Sequence, residues 1–372
     1  MKNIITVYAI CKNEEKFVRQ WVNSMKEADY IVVLDTGSTD NTIEEFRKCG
    51  IEPYKTTINP FRFDEARNCA LKLCPKDTNI FVSTDLDEIF DPGWGDVLRK
   101  KWTDNCERAN YKYAWSSLQN GEPGRVFTYD KIHSANWEWK YPVHEMLVNI
   151  NTGTNEYHVE NTLNVFNEIF LHHYPDKTKS RGSYLELLEL RAEEDDNDYY
   201  GLIYLGHEYY YRERYKKSIS TLETVIERFY ERMTLTERAS CYLFMGDSYK
   251  ALGDKDNAIK SYISAIHIES TYREPYLALA KYYLELKEYD AAIFYTKEGV
   301  KKSYRHYSWL ERDRSWNCEP YDILSVASYY VGNKRDSLSY GIKALSLNGS
   351  EQRLKDNLEL ILNNTTDKDL IF

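Results

Sequence analysis

The spacing of apolar positions changes once along the chain, near residue 179, and the two halves predict different architectures. Residues 4–10 (IITVYAI) are continuous and β-branched, the pattern of a strand buried on both faces. Residues 12–15 (KNEE) open an amphipathic helix that runs to about Met25, and residues 30–34 form a second strand. The polar stretch 35–42 (DTGSTDNT) follows, in which Gly37 permits a tight turn and Ser38, Thr39 or Asp40 can cap a helix to about Cys49. A third strand at 52–57 is followed by a helix entered through 60–68 (PFRFDEARN), capped by Asp64 and ending near Leu73. Ile80, Phe81 and Val82 make a short strand that stops in Asp85, Leu86, Asp87 and Glu88. Strand alternating with helix implies a parallel sheet.

Past Glu88 that alternation ends. Residues 91–94 turn into a short helix to about Lys101, and 111–118 and 125–130 alternate as half-buried strands around a turn at 121–124. Residues 169–171 are apolar and run into His172 and His173.

From residue 179 the periodicity is helical. A helix over 180–194 ends in the acidic run 193–198, after which Ala258-Ile259 and Ala292-Ile293 repeat at the tetratricopeptide period of about 34. The units are 199–229, 237–269 and 273–302, with a looser one at 319–346 and a capping helix at 350–362. Gly206, Gly246 and Ala280 supply small residues where paired helices approach, and Gly253 and Lys287 fall at turns. The expected domains are 1–178, a linker helix at 179–198, and 199–372. Most aromatic side chains of this half should fill seams between helices, with some exposed ones lining the concave groove.

Composition narrows the picture. A chain of 372 residues with 29% charged and 42% hydrophobic residues fits a globular protein of two domains. The net charge of −10 argues against a broad nucleic-acid footprint but leaves room for a local basic pocket. Seven cysteines without a Cys-x-x-Cys pair argue against a disulfide framework or zinc site and for a reducing compartment. The first residues lack the apolar stretch of a signal peptide, and no run approaches the ~18 apolar residues of a membrane span, so a cytoplasmic chain is expected.

The chemistry concentrates at strand ends. Three acids within 85–88 repel one another unless a positive group sits among them, and a hard divalent cation gripping a diphosphate is one remedy. An acidic turn of purely structural kind is the alternative. A calcium-binding EF-hand loop is excluded, because Phe90 stands where that loop requires Gly. Asp35 ends its strand as Asp85 does, and two such ends on one sheet edge make a site in an open α/β fold. Arg67, near its helix start, could reach phosphate or base, or form a surface salt bridge.

Taken together and in order, KNEE, DTGSTDNT, FRFDEARN and DLDE resemble family-2 glycosyltransferases of the GT-A fold. They are most similar to the subgroup whose catalytic domain precedes tetratricopeptide repeats, which includes lipooligosaccharide glucosyltransferases and bacteriocin S-glycosyltransferases. The resemblance implies an α/β, Rossmann-like GT-A domain followed by an all-α repeat solenoid. It also implies a Mn²⁺ or Mg²⁺ ion and a UDP-sugar donor, UDP-glucose or UDP-N-acetylglucosamine foremost. Nucleotide-sugar contacts carry over to Ile10, Asn13, Asp35, Thr36, Arg67, Asp85, Leu86 and Arg125. Thr36 stands where many relatives have a second Asp. Metal ligation carries over to Asp87, with Asp85 beside it. Segments 124–127 and 142–145 resemble the subgroup's "R-L-F" and "I-H-E", and the stretch from His173 its "H-Y-G-Y", with Pro175 in place of Gly.

Inverting transfer needs a group that takes the acceptor's proton. Glu145 is the candidate, with His144 second, and the alternative is that Glu145 pairs with Arg125 to order a loop. His173 is the expected third metal ligand, with His172 as alternate. The expected activity is transfer of a sugar to a peptide, protein or saccharide acceptor, the repeats binding acceptor or partner or mediating self-association. Two other readings are a tetratricopeptide adaptor with a vestigial first domain, and nucleotidyl transfer, which lacks here the Gly-rich phosphate loop after the first strand.

Overall fold

The computed structural model describes residues 3–116, 121, 123–155, 159–176, 182–306 and 309–365. The chain forms two compact units, Met1–Asp195 and Asp196–Phe372.

The first unit runs β1 (Ile5–Cys11), α1 (Val18–Met25), β2 (Tyr30–Asp35), α2 (Thr42–Lys48), β3 (Tyr54–Lys55), α3 (Phe63–Lys72) and β4 (Ile80–Ser83). It continues with β5 (Glu88–Phe90), α4 (Trp94–Lys101), β6 (Arg108–Ala114), β7 (Val126–His133), β8 (Trp137–Lys140) and β9 (Met146–Asn149). It ends with β10 (Thr162–Asn164), β11 (Phe170–His173) and α5 (Tyr184–Glu194). The main sheet has the order β3-β2-β1-β4-β7-β6-β11-β5, with β10 also paired to β6, while β8 and β9 form a separate hairpin. Strands β1 to β4 are mutually parallel where they pair, and β7 joins both β4 and β6 antiparallel, so the sheet is mixed.

The two-residue period of the strands divides the core. Ile5, Val7, Ala9 and Cys11 face one layer with Trp21 and Met25 of α1, Phe46 of α2 and Trp94 of α4. Tyr8 and Ile10 face the other, with Ala66 and Ala70 of α3 and Trp137 and Trp139 of β8. Burial on both faces is why β1 reads as an unbroken apolar run.

Several elements differ from expectation. Helix α1 starts at Val18 because Asn13 adopts a positive φ of 56° and residues beyond it form a turn. Asp64 lies inside α3 and is held by Arg62, so Arg62 occupies the N-cap without a side-chain cap. The expected strand end at 117–118 and helix start at 180–181 lie outside the described residues. Helix α5 is not a free-standing linker: its Arg191 is buried against the loop between β8 and β9.

The second unit contains α6 (Tyr199–Tyr211), α7 (Tyr215–Phe229), α8 (Leu235–Ala251), α9 (Lys255–Ile268), α10 (Arg273–Glu285), α11 (Tyr289–Val300), α12 (Glu319–Tyr330), α13 (Lys334–Leu347) and α14 (Gln352–Asn363). Consecutive helices pair, and the first members of successive pairs touch one another, as a stacked repeat requires. The small residues act as anticipated: a Cβ on Gly246 would lie 2.6 Å from the Tyr262 ring, and one on Gly206 equally close to Leu222. Gly253 and Lys287 both end helices at positive φ.

Part of the repeat face is already covered. Between α11 and α12, residues 309–316 turn back onto the earlier helices: Trp309 stacks on Tyr204 of α6, and Arg312 reaches Asp247 of α8 at 2.6 Å. The backbone of Arg312 and the indole of Trp316 both donate to Glu274 of α10. Tyr204 of α6 and Phe244 of α8 thus pack against the chain's own segment, the latter beneath the Arg312 guanidinium.

Candidate active site

Strand ends set the site. In the sheet Cys11 pairs with Asp35 and Tyr8 with Ser83, so β1, β2 and β4 finish on one edge. Asp35 and the acids of 85–88 therefore leave the sheet on the same side.

The first two loops on that edge are laced together. Asn13 Oδ1 accepts the Thr39 backbone N–H at 2.7 Å, and Ser38 Oγ accepts that of Asn13 at 2.9 Å. Thr42 Oγ1 accepts the Glu14 N–H, and Glu15 Oε2 takes both the backbone and the side-chain N–H of Asn41. Asp40 accepts the Thr42 N–H at 3.0 Å, but the N-cap of α2 is Asn41, which makes no side-chain cap hydrogen bond, so none of Ser38, Thr39 and Asp40 caps that helix as expected. Asp35 is buried, and its Oδ1 accepts from the N–H groups of Gly37 and Ser38 at 3.0 Å. Thr36 donates its hydroxyl to the Cys11 carbonyl, and Ile10 lies in the core between sheet and α3.

Below this lattice lies a buried charge network. Arg67, 2% exposed on α3, donates from Nε to Glu145 Oε1 at 2.5 Å, from Nη2 to Asp85 Oδ1 at 2.7 Å, and from Nη1 to Ser83 Oγ at 3.3 Å. Its guanidinium also stands over the Trp139 ring. Lys131 of β7 approaches Asp85 Oδ2 at 3.6 Å. Burial acts against the charged form of Asp85, yet Arg67 and Lys131 outweigh it and hold the carboxyl well below its ordinary range. Glu88 is shifted the other way, by burial first, with Lys131 opposing and Asp85 adding to the rise. It accepts from Tyr113 OH at 2.9 Å and from the Asp85 N–H.

Beside that network, His173 Nε2 of β11 lies 3.3 Å from Asp87 Oδ2. Its Nδ1 is 3.0 Å from the Trp115 carbonyl, and the ring packs on Trp115. Burial disfavours a charged His173, but the hydrogen bond and charge of Asp87 prevail and raise its pKa. The Tyr174 N–H donates to the Asp87 carbonyl at 2.7 Å, so a backbone hydrogen bond ties the residue after β11 to the residue before β5.

Some expected residues fall elsewhere. Asp85 is turned to two cations, and among the described residues no cluster of three or more His, Cys, Asp or Glu donors forms, so the trio Asp85, Asp87 and His173 is not assembled as such. His172 pairs with Asp91 instead. His144, at φ 48°, sets its ring edge-on to Tyr184 of α5 while Glu145 meets Arg67. The arginine that Glu145 pairs with is thus Arg67 and not Arg125, whose backbone N–H donates to Ser116 Oγ. Leu86 is fully buried in the core. The sequence does not single out Lys131, although the two-residue period places it on the strand face of Tyr129 and His133, and a lysine on an aromatic face is the signal.

Residues 6–155 match the family model described as glycosyl transferase family 2, and residues 239–272 match tetratricopeptide repeat. No curated protein sequence matches the chain. Among solved structures the chain is similar to TTC0263, a thermophilic TPR protein of Thermus thermophilus, at 18% identity over 48% of this chain and 89% of that one, TM-score 0.38. It is also similar to MamA, at 19% identity over 48% of this chain and 99% of that one, TM-score 0.37. Pseudomonas aeruginosa pilF gives 13% identity over 48% and 72%, TM-score 0.38. The mixed sheet is consistent with the GT-A fold, and the chain carries a glycosyl transferase family 2 domain joined to tetratricopeptide repeats.

Proposed function

We propose that the first unit transfers a sugar from a UDP-sugar, UDP-glucose or UDP-N-acetylglucosamine, to a peptide, protein or saccharide acceptor with inversion at the anomeric carbon. The observation that carries this reading is the paired placement of Arg67 with Asp85 and Asp87 with His173 on one sheet edge, within a domain whose family implies glycosyl transfer.

The residues fit a divalent cation. Asp87 Oδ2 and His173 Nε2 bring an oxygen and a nitrogen donor to one point, and the Trp115 carbonyl favours the tautomer that leaves Nε2 free to ligate. Bound there, Mn²⁺ or Mg²⁺ would neutralise charge on the departing diphosphate.

The chain's own groups supply the rest. The laced loops 13–15 and 35–42 form the nucleotide side, with Asp35 presented to base and ribose. Glu145 takes the proton of the acceptor as its nucleophilic atom bonds to the anomeric carbon and the bond to the diphosphate oxygen breaks. Arg67 holds Oε1 of Glu145, which leaves Oε2 to receive the proton. Asp85, fixed by Arg67 and Lys131, borders the ribose.

The test is a panel of UDP-sugars screened with and without Mn²⁺ by thermal shift, followed by detection of released UDP. Stabilisation by one UDP-sugar that requires the metal, with UDP as product, is the expected result. Failure of every UDP-sugar to bind or turn over would remove the reading, and release of pyrophosphate would replace it with nucleotidyl transfer.

A further inference from the structure

We propose that Arg191 of α5 is a positioning residue for Glu145, and that α5 is therefore a working part of the catalytic domain. The inference rests on the reading of Glu145 as proton acceptor.

The turn between β8 and β9 is held in an unfavourable backbone form. Tyr141 has φ 84° and His144 φ 48°, and neither is glycine, so surrounding structure must impose these angles. Glu145 follows directly, and its placement under Arg67 depends on that path.

What imposes the path comes from α5. Arg191 is fully buried, and its Nη1 donates to the carbonyls of Val143 at 3.0 Å and His144 at 2.6 Å. Its guanidinium lies 4.0 Å from the Tyr141 ring, and Nη2 reaches Met146 Sδ at 3.5 Å. The planar fork thus touches residues on both sides of Glu145, a geometry that lysine cannot reproduce. At the end of the helix, Asp195 Oδ2 accepts from Lys140 Nζ at 2.9 Å and from Tyr141 OH at 3.0 Å. Arg62, the N-cap of the helix that carries Arg67, pairs with Glu194. Two residue clusters of one helix therefore fasten the same turn at separate points. The matched family segment ends at residue 155, so the brace lies outside it in sequence.

A brace of this kind sets the proton acceptor's position without touching substrate. Misplacement by about 1 Å can cost on the order of 10²-fold in rate while binding is spared.

The experiment uses the full chain and a double-mutant cycle of Arg191→Met with Glu145→Gln, with Arg191→Lys as the conservative variant. Turnover with a UDP-sugar and Mn²⁺, donor affinity by calorimetry, and the melting temperature are read for each. Arg191→Met should lower kcat on the order of tenfold or more, leave donor Kd within about twofold, and have almost no further effect once Glu145 is Gln. Arg191→Lys should recover part of the loss. If Arg191→Met does not fold, Asp195→Ala removes the second fastening and should give a smaller fall of the same kind. An equal loss in both Glu145 backgrounds, or a parallel loss of donor affinity, would show a merely structural arginine and overturn the proposal. A wild-type chain that turns over no UDP-sugar would instead remove the function on which it rests.

Discussion

Arg67 holds two carboxylates at once, Asp85 at 2.7 Å and Glu145 at 2.5 Å, from a position almost without solvent contact. Removing the cation leaves Glu145, only 9% exposed, with a charge that water cannot reach well. Arg67→Met should therefore destabilise the first unit by about 3 kcal/mol or more and abolish transfer. Chemical denaturation of the full chain, followed through tryptophan emission, checks the first part. The double variant Arg67→Met, Glu145→Gln should recover part of the stability without activity. Asp85 adds a pH signature. Its pKa is depressed in the fold, so its contribution is present above the ordinary carboxyl value of about 3.9 and is lost as pH falls through the lower folded value.

His173 and Asp87 predict the response to metal. Protonated His173 would be an ion-pair partner of Asp87, whereas neutral His173 can ligate, and the raised pKa places that change above the usual histidine value of about 6.5. The ion pair's stabilisation is then full below about pH 6.5 and disappears as pH rises through the folded pKa. Metal stabilisation runs oppositely. The increase in melting temperature on adding Mn²⁺ should be small near pH 6 and larger near about pH 8.5. His173→Ala and Asp87→Ala should each abolish that increase, and with it metal-dependent donor binding. A shift independent of pH and of both residues would move the ion elsewhere.

Much of the parallel half is legible from residues because burial on both faces removes alternation: β1 and β4 are unbroken apolar runs, and their polar ends are the site. The acids and Arg67 follow from that, since strand ends and a helix start locate them. What the sequence does not disclose is pairing among charges. Arg125 and Arg67 are equally available partners for Glu145 on paper, and only the packing of α3 against β8 decides between them. Arg191 is harder still. It sits among Glu189, Glu193 and Glu194 and reads as one charge of a solvated acidic helix, yet it is fully buried because the carbonyls of a distant turn need a donor. Likewise nothing in 309–316 foretells its return to α6 and α8, because single charges such as Arg312 and Asp247 carry no mark of their partner.

That returning segment leads to a prediction about the repeats. Arg312→Ala leaves Asp247 facing Tyr262 OH without its guanidinium, and removes the stacking of Arg312 on Phe244. A loss of about 2 kcal/mol is expected, confined to the helical unit, and best seen as earlier exchange of amide hydrogens in α6 and α8 than in the sheet. Trp309→Ala should do the same from the other end of the segment. Uniform exchange in these helices would mean that the segment adds nothing to them.

Asp35 separates loop architecture from donor recognition. Its Oδ1 accepts the N–H groups of Gly37 and Ser38, and Asn offers an oxygen of the same kind in the same place, so Asp35→Asn should keep the turn and the melting temperature. In the proposed donor complex the charge facing base and ribose would be lost, and with it a charge-assisted hydrogen bond of about 1.5–3 kcal/mol, so UDP-sugar affinity should fall by at least about tenfold. Asp35→Ala removes the acceptor as well. It should lower both affinity and stability, because two N–H groups beside a buried position lose their partner. Calorimetric titration of UDP against each variant distinguishes the cases. Equal affinity in Asp35→Asn and wild type would show that the carboxylate serves the turn alone, and that the nucleotide base is read by other groups on this edge.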